Sequence, residues 1–222
     1  MGDIRMTLFS YIPLLLQGAS ITLVAWCIAG LASIAIGTVI GIIGCRRLAS
    51  SKLTTIVRVY TFIAKGIPAY VQILIAYFVI PNLLGINIPG FLAATIALIF
   101  CSSGYVTEIV RSGINAIPRG QWDACIVLGY PPLSILWRVI LPQAMRLIVS
   151  PLINELEQLL KSTSLLATIG VTELTRAGIN IISRELNPLP VYLTIAIIYL
   201  VFSAFLQCAS IYAERSMCYG NR

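Results

Sequence analysis

From Met6 to Cys45 the chain carries no Asp, Glu, Lys or Arg. An apolar run of that length cannot be covered inside a small water-soluble fold, whereas a helix crossing a bilayer needs about 20 such residues. Its latter part, from Ala19 to Gly44, is long enough to span with some tilt. The earlier part carries Ser10, Pro13 and Gln17 and is expected to form a helix lying along the interface. No cleaved signal peptide is expected, because the positive start is thin and the apolar stretch is too long. A second uncharged interval, Gly66 to Thr107, is punctuated by Pro81, Asn82, Gly85, Asn87, Pro89 and Gly90. These are turn formers, so the interval divides into spans at about 57–80 and 88–108. A more polar span is expected at about 147–170 and a last one at about 190–213. The expected fold is an all-α membrane protein with five transmembrane helices, forming one domain over residues 1–222.

Composition narrows the function. Only 10% of the residues are charged and 59% are hydrophobic, where a soluble domain carries about a quarter charged. The balance of 15 Lys+Arg against 8 Asp+Glu gives +7, but a nucleic-acid binder would gather those cations on an exposed polar face. Here they mark topology, since short cytoplasmic loops collect Lys and Arg. With the N-terminus outside, the inner segments hold Arg46, Arg47, Lys52, Arg58, Arg111, Arg119, Arg138, Arg146, Arg215 and Arg222, and the outer ones Arg5, Arg176 and Arg184. Lys65 and Lys161 fall within spans. The chain has no histidine, which removes the commonest general base and metal ligand. Its six cysteines show no paired metal spacing, and four lie in apolar surroundings, where Cys acts as a small hydrophobe. No catalytic residue and no metal site is expected. Gly37 and Gly41 form a small-xxx-small pair suited to close helix contact, within the chain or in a dimer.

The third and fourth spans are joined by an elbow at about 117–143. Gln121 to Leu128 suits a short helix, with Arg119 and Asp123 placed for an i,i+4 pair. Gly129 can take the left-handed conformation that ends a helix. Pro131 and Pro132 prevent continuation, and Pro132 can open the next helix, expected over Leu133 to Leu141 until Pro142 interrupts it. Ala124, Cys125 and Leu128 share a face, with Trp122 nearby. Small residues beside bulky apolar ones suit a knob entering another protein's groove. They equally suit an amphipathic helix lying on headgroups, and chemistry alone leaves both open.

The stretch resembles the cytoplasmic signature of ABC-importer permeases, an acidic-Ala-Ala triplet, a following glycine and Ile-Leu-Pro. Here these are Asp123-Ala124-Cys125, Gly129 and Ile140-Leu141-Pro142. It is most similar to the polar amino acid branch, through Ile117-Pro118-Arg119-Gly120-Gln121-Trp122 and Leu141-Pro142-Gln143-Ala144. Gly66-Ile67-Pro68 with Val71-Gln72, Glu108 with Arg111, Gly113 and Ile114, Asn154-Glu155, Leu160 to Leu165 and Glu214-Arg215 extend the resemblance along nearly the whole chain. Asp123 and Cys125 depart from the usual Glu and Ala, Lys65 from the usual Arg, and Pro131-Pro132 is unusual. The resemblance implies a type I importer permease half in the bacterial cytoplasmic membrane, paired with an identical or related subunit. Gln121, Trp122, Asp123, Ala124, Cys125, Leu128, Gly129 and Tyr130 would dock a cytoplasmic ATPase, and an external binding protein would deliver an amino acid. This chain has no Gly-Lys-Ser/Thr phosphate loop, so ATP and Mg would be held by the partner and no cofactor by this chain.

The fourth span is the polar one. A carboxylate at the bilayer centre costs roughly 2.5–3.5 kcal/mol, so such groups face a cavity or a partner. Glu157 and Lys161 are i,i+4 with the acid first, the better order for a pair. Glu155 does not share Lys161's face. It falls at the family's Asn-Glu position, so Asn154 and Glu155 are expected to line a substrate path. Lys161 is placed on the same path, and Ser162, Thr163 and Ser164 supply hydroxyls near it or bond only to backbone. Glu157 and Gln158 stand where apolar residues are expected, and the extra acid favours a cationic substrate. The rivals are an ATP-independent channel or secondary carrier, for which no internal repeat is visible, a membrane enzyme, which lacks a catalytic constellation, and a scaffold, which leaves the elbow signature unexplained.

Overall fold

The computed structural model describes the backbone of residues 2–45, 47 and 50–218, and side chains within 11–215. Of the cations used for orientation, Arg46 and Arg222 lie outside the described residues, as does the side chain of Arg5. Among the described residues all regular structure is helical. Helix α1 is Gly2–Ile43 and α2 is Ser51–Gly66. Helices α3, Ala69–Leu84, and α4, Gly90–Ala116, follow. Next come α5, Arg119–Val127, and α6, Pro132–Ile169. Helices α7, Leu174–Glu185, and α8, Pro188–Cys218, complete the chain. By length and composition four helices, α1, α4, α6 and α8, can cross a membrane, and α2 with α3 makes a fifth span if the bent pair counts as one.

The chain divides into two compact units. One comprises residues 1–30, 68–99 and 157–206, the other 31–67, 100–156 and 207–222. In the first, Leu15 and Ala19 of α1 pack with Leu174, Ala177 and Ile181 of α7 and Val191 and Ile195 of α8. In the second, Val106, Val110 and Ile114 of α4 pack with Trp122 and Cys125 of α5 and Ile135, Leu136, Ile140 and Ile148 of α6. Gly37 and Gly41 serve this second core. A Cβ on Gly37 would fall 2.6 Å from the Val106 Cβ, and one on Gly41 2.9 Å from the Thr107 carbonyl. The pair lets α1 and α4 of the same chain approach closely.

Helix breaks follow local chemistry. Ile67 is extended (φ −94°, ψ 128°) because the ring of Pro68 disfavours helical geometry in the residue before it. Ser50 caps α2 by accepting from the Leu53 N–H at 3.4 Å, filling one of the orphan donors at a helix start.

Several expected boundaries move. The stretch around Pro13, expected along the interface, is continuous with the span as one 42-residue helix. Pro142 does not end the second elbow helix, which runs on into the fourth span as α6. The reason is a wide turn over Leu136–Ile140, where the Leu141 N–H reaches back to the Leu136 carbonyl. A proline inside a helix removes one bond and clashes with the carbonyl four residues back, and widening the turn before it relieves the clash. Pro81 is accommodated in the same way after a wide turn over Ile75–Val79, so α3 continues to Leu84 and ends on Gly85 at φ +64°. The outer segment after the fourth span, which holds Arg176 and Arg184, contains α7.

Candidate functional site

Helix α5 is built as a bracket with one side held and one side free. Its C-terminal turn carries paired bonds, from the Tyr130 N–H to the Cys125 carbonyl at 3.1 Å and from the Gly129 N–H to the Ile126 carbonyl at 2.9 Å. Gly129 sits at φ +78°, the left-handed residue this ending requires, and Pro131 is extended ahead of Pro132 at the start of α6. Trp122 and Cys125 point into the core and are 4% and 7% exposed. They therefore anchor the helix in the core of this chain. Gln121, Asp123, Ala124, Leu128, Gly129 and Tyr130 are exposed. So are Ile126, Val127, Leu133 and Trp137, with Val127 87% exposed. Asp123 meets Arg47 at 3.7 Å in place of Arg119, and Arg47 lies 5.3 Å from the centre of the Trp122 ring. The helix is thus braced from the α1–α2 loop, while an apolar strip faces outward.

On α6, Asn154 is exposed and Glu155 half-buried. Ser102 of α4 donates to Glu155 Oε1 at 2.8 Å. Lys161 donates to Glu157 at 2.8 Å, the neutralising pair anticipated by their spacing. Ser162, Thr163 and Ser164 donate to the carbonyls of Gln158, Leu160 and Lys161 at 2.9, 2.6 and 2.8 Å, so these hydroxyl protons stay on their own helix.

The chain as a whole has a counterpart in a known family. Residues 33–217 match the model of the binding-protein-dependent transport system inner membrane component. The chain belongs to that family. This permease is 32% identical over 206 residues to the arginine transport system permease ArtQ of Bacillus subtilis, covering 93% of each chain. It is 33% identical over 210 residues to the glutamine transport system permease GlnP of Escherichia coli, covering 93% of this chain and 94% of that one. Among solved structures, a chain of an amino acid ABC transporter with histidines superposes with TM-score 0.87 at 32% identity, covering 95% of this chain and 97% of that one. The inward-facing MetNI methionine ABC transporter shares the type I importer fold, with TM-score 0.81 at 22% identity over 92% of this chain and 96% of that one.

The permease also joins polar groups whose partnership the sequence does not display. Lys65 of α2 pairs with Glu108 of α4, which also lies 3.8 Å from Arg111, and the Lys65 ammonium sits 5.2 Å from the Tyr105 ring centre. Both Lys65 and Glu108 were visible in the motifs, but their partnership joins positions 43 apart, which no local spacing reveals. Glu173 was missed altogether. Its signal was the apolar pattern Leu174, Ala177, Gly178, Ile181 that follows it, which marks a helix start.

Proposed function

We propose that this permease is the membrane-spanning half of an ATP-driven importer of a polar amino acid. A cytoplasmic ABC ATPase docks on the exposed strip of α5, a second permease half completes the pathway, and an external binding protein delivers the substrate. The observation that carries the reading is the two-sided α5. Trp122 and Cys125 are clamped in the core while Ala124, Val127 and Leu128 are free for a partner's groove. A rigid bracket of this kind transmits a push from the ATPase to α4 and α6, the helices its buried side chains pack against, and alternating access follows. ATP and Mg belong to the partner chain. The relatives are named for arginine and glutamine transport and the closely superposing transporter for histidines, which supports an amino acid and leaves its side chain open. The N-terminus lies outside and the C-terminus in the cytoplasm, on the strength of the cation distribution.

Gentle purification of the tagged chain tests the reading. An ABC ATPase should accompany it, and hydrolysis in liposomes should rise when an amino acid and its binding protein are supplied together. A chain that purifies alone and moves solute without ATP is the carrier or channel reading instead. Within the pathway, Asn154 and Glu155 face the substrate's amino group. Glu155→Gln should raise the concentration for half-maximal uptake by about tenfold, the loss expected for one charge-assisted hydrogen bond, and unchanged uptake kinetics for every amino acid would remove Glu155 from the path.

A further inference from the structure

We propose that a cavity where α4 ends and α5 begins binds a phosphate-bearing anion. The cavity is about 520 Å³ and its lining includes three arginines, Arg47, Arg111 and Arg119, together with Ser112, Asn115 and Trp122. Among the described residues no carboxylate lines it. The nearest acids, Asp123 at 3.7 Å from Arg47 and Glu108 at 3.8 Å from Arg111, stand at the outer limit of an ion pair. Asp123 is 68% exposed and Glu108 is shared with Lys65, so the three arginines keep most of their positive field. Arg119 has no ion pair among the described residues. The Arg111 Nε is buried and, among the described residues, has no hydrogen-bond acceptor. Burial shuts that atom off from the cavity, so an oxyanion there meets the rest of the Arg111 side chain, which is 18% exposed. Planar guanidinium forks match phosphate oxygens two at a time, and the Ser112 hydroxyl and Asn115 amide add neutral donors.

The position favours a lipid headgroup as the source. The cavity is lined by the last turns of α4 and by Arg47 of the loop that follows α1. Both helices are long and apolar enough to cross a membrane, and basic pockets at the cytoplasmic ends of such helices suit headgroup phosphates. It also leaves the docking strip free. Arg119 and Trp122 are three residues apart and share one side of α5, with Ala124 and Leu128 on the other side. Arg47, over the Trp122 ring, ties the bound anion to the orientation of α5. The inference rests on the membrane reading and on neither the transported solute nor the ATPase.

Native mass spectrometry of the full chain, released from mixed phosphatidylcholine and phosphatidylglycerol, reads the lipid arm. Wild type should retain phosphatidylglycerol, and Arg119→Gln and Arg111→Gln should each lower that retention about tenfold, while Lys52→Gln, an exposed cation of α2 outside the cavity, leaves it unchanged. In phosphatidylcholine-only nanodiscs, inorganic phosphate reads the soluble arm. A phosphate-dependent rise in melting temperature that Arg119→Gln abolishes assigns the site to a free oxyanion. Either result supports the anion site. Equal retention in all variants without any phosphate effect overturns it, as does an equal loss in Lys52→Gln, which would signify diffuse charge. Protection of the arginines only on adding a co-purifying ATPase gives the cavity to a protein partner and overturns it too.

Discussion

Glu173 begins α7, and none of it reaches solvent. Its Oε1 accepts from the Arg176 N–H at 2.8 Å and its Oε2 from the Thr175 N–H at 2.9 Å, while Thr22 of α1 accepts from the Leu174 N–H at 3.1 Å. The first three donors of α7 are therefore satisfied by two side chains from different helices. The Tyr199 hydroxyl of α8 donates to the same carboxylate at 3.2 Å, so one group ties α1, α7 and α8. Glu173→Ala should lower stability by about 2 kcal/mol, from the lost cap and the stranded hydroxyls, measured as a fall in melting temperature in detergent. Glu173 lies outside the four long spans, and burial pushes its carboxyl up from the ordinary range against the pull of its backbone hydrogen bonds. The folded protein thus holds a proton that the unfolded chain has already released. That stabilising contribution is present below the ordinary carboxylate range and is lost as pH rises through the raised value. Wild type should lose more thermal stability than Glu173→Gln as pH is raised from about 4.3 toward neutrality. Glutamate is an uncommon helix cap beside Ser, Thr, Asp and Asn, which is why residue type did not announce this role. Trp122 teaches a related lesson. Its proximity to the knob residues was legible, but only the packing of α5 against Ile135 and Ile140 decides that it points inward.

At the scale of the element, α5 and its turn were the most legible part of the chain, because Gly129, Pro131 and Pro132 each permit few backbone geometries. Gly129 has open space around its missing Cβ, so a substitution there meets backbone strain alone. A residue with a side chain in the left-handed region costs roughly 1–2 kcal/mol, less for Asn. Gly129→Val should therefore insert normally and remain helical by circular dichroism, yet bring down far less ATPase on purification, and Gly129→Asn should recover part of the association. The opposite case is Pro142. Read locally it stops a helix, and the wide turn that lets α6 pass through it depends on packing of Leu136 and Ile140 in the core. The position of α7 was hidden for a different reason. Arg176 and Arg184 keep that segment's hydropathy low, so only its apolar periodicity marks it as a helix.

For the whole molecule, the uncharged intervals gave the number of crossings closely, because the bilayer penalises charge more sharply than any other local preference. The ends of the crossings were less legible, since each depends on a cap, a wide turn or a glycine that hydropathy does not register. Orientation is a property of the complete chain and has a direct test. A reporter fused after Arg222 should be active only in the cytoplasm, and a tag before Met1 should be reached by reagents that do not cross the membrane. The reverse labelling would invert the topology and place α5 on the wrong side for an ATPase. The two wide turns, Ile75–Val79 in one unit and Leu136–Ile140 in the other, carry a consequence for chain length. Each holds one residue more than an α-helical turn, so counting along the sequence in steps of about 100° goes out of phase across it. Removing one residue within Leu136–Ile140 leaves the side chains beyond it facing as before, at the cost of pressing Pro142 against the preceding turn. Removing one elsewhere in α6 rotates everything that follows. Within the described helices α3 and α6 these turns absorb a change of length by one, and Pro81 and Pro142 are what keep the extra residue in place.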